Sequence, residues 1–263
     1  MHTRHQDKEL YFREQDYTTR NYVIPFIEQH MKIDENTVVM EVGCGEGGNL
    51  VPFLDRGCQV TGVDISESKI DHALNFLGSH PRVDRLKLIA DDIYNFEDSM
   101  AGSFDLIFLR DVIEHIHDQE RFMKFIRKFL KKDGLIFFGF PPWYNPFGGH
   151  QQICENKFLS KLPYFHLLPV FLYKAILRWG GESDARIEAL LEIKETGISI
   201  ERFFGIVKRN DYRVVNQTHY LINPNYKIKL GLKPRKQFIL IRRLPFFRNV
   251  LTTAVYCSVG NSE

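Results

Sequence analysis

The chain has 263 residues, a formal net charge of +2, 44% hydrophobic residues and four cysteines. That length suits one large α/β domain carrying an insertion better than two independent domains, and the near-balanced charge argues against nucleic acid as the principal partner. Cys44, Cys58, Cys154 and Cys257 show neither disulfide nor metal-ligand spacing, which fits a reduced cytoplasm.

In chain order, the opening Met1–Lys8 is polar and lacks the apolar core of a secretory signal. Val23, Phe26, Ile27 and Met31 then share one face of a predicted helix, which Asp34 to Asn36 should end. Val38 to Val42 reads as a strand running into a loop with Gly43, Gly45, Gly47 and Gly48, and a helix is expected from Asn49 to near Gly57. A strand, glycine loop and helix start present backbone N–H groups to a ligand. The glycine spacing alone also fits a dinucleotide. Glu41 tips the balance, because a carboxylate at the strand end repels a pyrophosphate and welcomes an amino or sulfonium cation. Asp64 closes the next apolar run and suits the ribose hydroxyls of either cofactor.

Ser66 is expected to cap a helix with Ile70, Ala73, Leu74 and Leu77 inward. A third strand, Leu86 to Ala90, leads to Asp91-Asp92-Ile93, and a fourth, Phe104 to Leu109, leads to the stretch from Arg110 to Asp118. Asp118 should cap a long helix with an apolar stripe of Phe122, Phe125, Ile126, Phe129 and Leu130, Lys131 and Lys132 at its C-terminal end, and Gly134 as its stop. Asp111, Glu114, His115, His117 and Asp118 have the chemistry of metal ligands. No other cluster supplies the remaining ligands at a recognisable spacing, so no metal site is expected.

A fifth strand, Leu135 to Phe140, breaks into the Pro-, Gly- and aromatic-rich loop Pro141–Gln152, at the sheet edge where open α/β folds bind ligands. Trp143 and Tyr144 there either face an acceptor or pack a rigid turn, while His150, beside a glycine pair, is the candidate general base. Residues 158–179 are aromatic and nearly uncharged, but Pro163, Pro169, Lys174 and Arg178 oppose membrane insertion. A lid helix or helix pair is expected, its apolar surface open to the core, a substrate, a membrane surface or a second subunit. Helices near 185–195 and 198–210 and strands at 212–218 and 251–259 complete the chain. The basic C-terminal third, with Lys227, Lys229, Lys233, Arg235, Lys236, Arg242, Arg243 and Arg248, either meets an anionic surface or is simply solvated.

Glu41, the Gly43–Gly45 loop, Asp64, Asp92-Ile93 and the Val112-Ile113-Glu114-His115 stretch together resemble the class I S-adenosylmethionine-dependent methyltransferases, over roughly residues 20–140. The resemblance implies an α/β fold with a Rossmann-like, seven-stranded sheet, mostly parallel, its last strand antiparallel between its neighbours, and a helical lid insertion. It divides the chain into an N-terminal helical segment at the cofactor mouth (1–36), a cofactor-binding core (37–140), a lid and acceptor insertion (141–200) and a completion of the sheet (201–263). Cofactor contacts are then expected from Glu41, Gly43, Cys44, Gly45, Asp64, Ile65, Asp92, Ile93, Arg110 and His115. Asp92 would take the adenine amino group and the Ile93 backbone the ring edge, with Tyr11, Tyr17 and Arg20 as candidates for the methionine carboxylate. Trp143, Tyr144 and His150 would meet the acceptor.

The expected reaction is in-line methyl transfer to a hydroxyl of a small molecule, sugar or lipid-linked intermediate, with S-adenosylhomocysteine as product. The expected protein is a cytoplasmic monomer or homodimer with no nucleic-acid partner and no transmembrane segment, peripheral membrane contact remaining open. Two other readings compete: an NAD-dependent oxidoreductase, disfavoured by Glu41 and the β-rich tail, and a non-catalytic scaffold that retains the fold.

Overall fold

A computed structural model describes residues 8–96 and 100–262; the polar stretch 1–7 read against a signal peptide lies outside the described residues. Helix α1 (Lys8–Thr18) passes through a π turn (Thr19–Val23) into α2 (Ile24–Ile27). Pro25 has no N–H to return to the preceding turn and its ring crowds the carbonyl four residues back, and the wider π turn precedes it. The helix stops at Ile27, before Met31 and well before Asp34, which instead turns the chain by accepting from the Asn36 N–H at 3.0 Å.

The core then alternates: β1 (Val38–Val42), α3 (Val51–Asp55), β2 (Gln59–Asp64), α4 (Glu67–Leu77), β3 (Leu86–Ala90), β4 (Phe104–Arg110), α5 (Gln119–Ile126) and β5 (Leu130–Phe140). After it come α6 (Val170–Trp179), α7 (Asp184–Thr196), α8 (Ile200–Arg209), β6 (Tyr212–Ile222), α9 (Asn225–Leu230), β7 (Arg235–Lys236), α10 (Ile239–Arg242), α11 (Phe247–Val250) and β8 (Ala254–Asn261). The described residues form an eight-stranded sheet in the order β3-β2-β1-β4-β5-β8-β6-β7. β1 to β5 are parallel, and β8 runs antiparallel between β5 and β6. This is the expected arrangement, with the two-residue β7 added at the edge. The strand order reverses between β1 and β4, which opens a crevice at their carboxyl ends.

Period-two alternation sends successive side chains to opposite faces of the sheet. Met40, Val42, Phe138 and Phe140 pack towards α5 and α8, and Val39, Leu106, Phe108 and Phe137 towards α2, α3 and α4. Helix α8 is anchored by Phe203, whose ring lies 5.2 Å from Phe138 and 4.7 Å from Phe140, and its first turn is capped by Ser199, which accepts from the Arg202 N–H at 3.1 Å. Burying one such phenylalanine contributes about 1.5–3 kcal/mol. A third, separate cluster of Leu159, Phe165, Tyr173, Leu177, Ile187 and Leu190 binds α6 to α7 above the sheet. No helix among the described residues is long and apolar enough to cross a membrane.

Three local expectations are corrected. Helix α5 ends at Ile126, a 3-10 turn covers Arg127–Phe129, and Leu130 already pairs with Phe104 as the start of β5. Phe129 and Leu130 are buried either way, so their apolarity did not distinguish the periods. Gly134 is not a helix stop: residues 131–134 bulge out opposite Asp105, and a Cβ on Gly134 would lie 2.9 Å from the Asp105 carbonyl oxygen. Ser66 holds the N-cap position of α4 without a side-chain cap bond, and Leu74 is 51% exposed.

Candidate active site

The loop after β1 is shaped for close approach. Gly43 has φ +74°, and a Cβ there would sit 2.6 Å from Val112 Cγ2, at the turn after β4. A Cβ on Gly48 would meet the Phe12 carbonyl oxygen at 2.4 Å, so glycine lets α1 lie across the loop. Between helix, loop and the end of β4 is a cavity of ≈ 270 Å³, whose walls include Tyr11, Gln15, Gly43, Gly45, Lys69 and Arg110.

Glu41 is fully buried beneath this loop. Its Oε1 accepts from Asn49 Nδ2 at 2.7 Å, while Oε2 has no hydrogen-bond partner. Burial pushes its carboxyl well above the ordinary range, opposed by the Asn49 hydrogen bond and by Arg110. Asn49 Oδ1 accepts from Arg110 Nη1 at 2.8 Å and from Thr19 Oγ1 at 2.7 Å, and Arg110 Nη2 donates to Asn225 Oδ1. A polar chain thus joins the π turn after α1 to β1, β4 and α9 behind the cavity.

Asp64, 6% exposed, accepts from the Gly45 N–H on Oδ2 and from the Ser66 N–H on Oδ1, both at 2.9 Å, with Lys69 Nζ 3.8 Å from Oδ2. Ile65, the next residue, is 80% exposed. Asp91 folds back onto Asn95 Nδ2 at 2.8 Å; Asp92 caps the following 3-10 turn through the Tyr94 N–H at 3.0 Å, and Ile93 is buried. The Cys44 thiol is buried in the core beneath the loop, so only its main chain is on the loop surface. Tyr11 lines the cavity, and burial beside Asp111 raises its phenol pKa. Arg20 does not reach it: Asp16 and Asp55 hold its guanidinium at 2.9 and 2.6 Å on the outer side of α1, and Tyr17 packs edge-on against Tyr22.

On the other side of the crevice, the turn after β4 and the loop after β5 meet. His150, in the left-handed region at φ 52°, places its ring 5.0 Å from that of His115. Ligand-capable atoms of Glu114, His115 and His150 all lie within 4.8 Å of one another, so tertiary structure adds to the Glu114-His115 pair the neighbour that the sequence did not show. Glu114 is 3% exposed, neither carboxylate oxygen has a hydrogen-bond partner, and burial with Asp111 nearby pushes its carboxyl well up. Trp143 packs against Gly197 and edge-on against His166, whose Nε2 donates to the Trp143 carbonyl at 2.9 Å. Its ring ties the loop to the α6–α7 unit, while Tyr144 is 44% exposed.

Gln15, Glu46, Lys69 and Asn225 were not anticipated. Lys69 carried a usable signal, lying in the first turn of the helix after Asp64; Gln15 and Asn225 reach the site from elements remote in sequence.

The chain matches the family described as "Methyltransferase domain" over residues 13–146. Among curated relatives, a ubiquinone biosynthesis O-methyltransferase of Idiomarina loihiensis is 37% identical over 114 residues, 43% of this chain and 46% of the relative. One from Rickettsia bellii is 28% identical over 195 residues, 71% of this chain and 72% of the relative. The match to the first of these thus spans about half of the relative's length. Among solved structures, geranyl diphosphate C-methyltransferase of Streptomyces coelicolor A3(2), in complex with Mg2+, geranyl diphosphate and S-adenosyl-L-homocysteine, has TM-score 0.56 and 14% identity, covering 91% of this chain and 80% of that one. Phosphoethanolamine N-methyltransferase 2 of Haemonchus contortus, in complex with S-adenosyl-L-methionine, has TM-score 0.60 and 15% identity, covering 99% of this chain and 58% of that one. At these identities the structural likeness concerns the fold.

Proposed function

The chain belongs to the class I S-adenosylmethionine-dependent methyltransferases, and on that premise we propose that it methylates a hydroxyl of a small molecule, sugar or lipid-linked intermediate. The observation that carries the choice of a hydroxyl is the meeting of His150 with Glu114 and His115 at the crevice, which sets an imidazole base where an acceptor would lie. The O-methyltransferase relatives support the same choice.

The residues around the loop fit the cofactor on their own chemistry. Glu41 Oε2 is a buried acceptor lacking a donor, suited to an α-amino group, and Tyr11, Gln15 and Arg110 line the cavity for the methionine end. Asp64 retains lone pairs for ribose hydroxyls, Ile65 offers an exposed apolar face to adenine, and Asp92 with the Ile93 main chain suits the adenine edge. Gly43, Gly45 and the Cys44 main chain permit the close approach. The sulfonium, when bound, supplies a methyl group already activated for displacement. His150 would take the hydroxyl proton while the methyl carbon exchanges its bond to sulfur for one to oxygen, leaving the neutral thioether of S-adenosylhomocysteine, and the buried, protonated Glu114 packs beside the imidazole. Trp143 and Tyr144 wall the acceptor side, and the insertion at 141–200 excludes water. Residues up to 36 close the cofactor mouth, 37–140 hold the cofactor, and 201–263 complete the sheet. Four buried free cysteines support a cytoplasmic setting.

The test is calorimetric titration with S-adenosylmethionine, S-adenosylhomocysteine and NADH on the wild type and Asp64→Ala, followed by S-adenosylhomocysteine release against a panel of phenols, sugars and prenylated phenols. The first two ligands should bind and weaken at least tenfold in the variant, and His150→Ala should cut turnover about 10²–10⁴-fold with little change in cofactor affinity. Turnover of amines alone, or full activity of His150→Ala, would defeat the hydroxyl reading.

One observation favours a second role for the same residues: a carboxylate and two imidazoles within 4.8 Å also suit a divalent transition metal. Zinc or manganese titration of wild type and Glu114→Gln separates the two, since a general-base pair needs no ion.

A further inference from the structure

Charge is distributed unevenly along this chain. Between Tyr212 and Ser262 there are nine lysines and arginines and no aspartate or glutamate, although the whole chain carries only +2. Within that stretch α10, α11 and their connections expose large apolar side chains: Phe238 62%, Ile239 56%, Leu240 74%, Leu244 51%, Phe246 72% and Phe247 54%. Such a patch on a water-facing surface is costly unless something covers it.

The projection of these side chains is built in. Phe246 has φ 61°, a left-handed conformation unfavourable for an aromatic residue. Glu201 from α8 holds it there, accepting from the Phe246 N–H at 2.8 Å, from Arg248 Nε at 2.9 Å and from Asn249 Nδ2. Tyr164 Oη donates to the Val250 carbonyl at 3.1 Å, which fastens the segment to the insertion over the active site.

Between this segment and β6 is a cavity of ≈ 570 Å³ whose lining includes Asn216, Gln217, His219, Arg242, Arg243 and Arg248. The guanidinium groups of Arg242 and Arg243 have no hydrogen-bond or salt-bridge partner among the described residues. His219 is 1% exposed and neither ring nitrogen has a hydrogen-bond partner. A buried imidazole with an unused N–H beside the guanidinium groups of Arg242 and Arg243 is a donor set suited to an anion; Arg248 Nε is already taken by Glu201 and Asn216 Nδ2 by the Phe26 carbonyl and Gln29.

We propose that residues 232–248 dock on an anionic phospholipid bilayer, with Phe238, Ile239, Leu240, Phe246 and Phe247 entering the apolar boundary and the Arg242–Arg243–Arg248–His219 cavity taking a lipid phosphate. The basic excess decides the occupant: Glu201 offsets Arg248, but Arg242 and Arg243 add two further positive charges, so the surface matches a negatively charged interface, whereas a second copy would set like charges against each other. Docking here requires no methyl transfer and stands whether or not the acceptor is a hydroxyl.

The test is vesicle flotation of the full chain with phosphatidylcholine alone and with about a third phosphatidylglycerol, at low and high salt. Isothermal titration with inorganic phosphate and with glycerophosphoglycerol runs beside it. Binding should need the anionic lipid and fall at high salt. Arg242→Ala/Arg243→Ala should lose binding on the order of thirtyfold, and Leu240→Asp/Phe246→Asp should abolish it. Both variants should bind S-adenosylmethionine as the wild type does, which excludes misfolding. Equal binding to neutral vesicles, or unchanged binding by either variant, overturns the proposal. So does phosphate binding without vesicle binding, which would make the cavity a free-anion site. A dimer that Leu240→Asp/Phe246→Asp converts to monomer, with no flotation, would make the surface a subunit interface and likewise overturn it.

Discussion

Asn49 Nδ2 donates to Glu41 Oε1 at 2.7 Å while Asn49 Oδ1 accepts from Arg110 at 2.8 Å, so one amide stands between a buried carboxylate and a buried guanidinium. The acid and the guanidinium do not meet directly, and Glu41 keeps its second oxygen without a hydrogen-bond partner. Asn49→Ala removes a donor and an acceptor at once. It should lower stability by about 2–3 kcal/mol, read as a fall in the urea midpoint, and weaken S-adenosylmethionine in calorimetry. An unchanged cofactor affinity would mean that Asn49 supports the fold and not the orientation of Glu41.

Gly43 and Val112 form a second testable pair. Gly43→Ala must accept φ +74° and place a methyl group 2.6 Å from Val112 Cγ2. Two penalties are combined, backbone strain of about 1–2 kcal/mol and a steric one. Adding Val112→Ala should recover the steric part alone, so the double variant should fall between wild type and Gly43→Ala in both melting temperature and cofactor affinity. No recovery would place the whole cost in the backbone.

Glu114 gives a pH signature. Burial, reinforced by Asp111, lifts its carboxyl well above its ordinary value of 4.5. A raised carboxyl contributes stability that is complete below the ordinary value and lost as pH rises through the raised one. Glu114→Gln lacks this loss. Urea titrations at pH 5 and pH 8 should therefore show the variant gaining on the wild type as pH rises. Parallel stability profiles would show that Glu114 is not held protonated.

His166 acts in the opposite sense. Burial lowers its pKa from 6.5 to about 4, and its neutral ring is fully enclosed beneath the loop, bonded to the Trp143 carbonyl at 2.9 Å. A histidine lowered in this way contributes fully above its ordinary pKa and loses that contribution as pH falls from 6.5 towards 4, a difference on the order of 3 kcal/mol. With Trp179→Phe leaving Trp143 as the only tryptophan, its emission should shift to the red within that window, before global unfolding by circular dichroism. Coincident transitions would mean that the α6–α7 unit does not loosen separately.

The sequence by itself determined the parallel core and the β-rich tail, because strand and helix periods, glycines and caps are local signals. The places of Glu41, the glycine loop, Asp64 and Asp92 at the ends of elements were legible for the same reason, because the local pattern announces each element. Local signals failed where two periods bury the same residues, as at Phe129 and Leu130, and where a glycine answers to a distant carbonyl, as Gly134 does to Asp105. Only the tertiary structure decided that Arg110 and not Arg20 lines the cavity, since Asp55, 35 residues away, captures the Arg20 guanidinium. It alone carried His150 to Glu114 and His115, across strand β5, and gathered Arg242, Arg243 and His219 around one cavity. Such convergences depend on which faces the sheet brings together, and spacing along the chain holds no record of them.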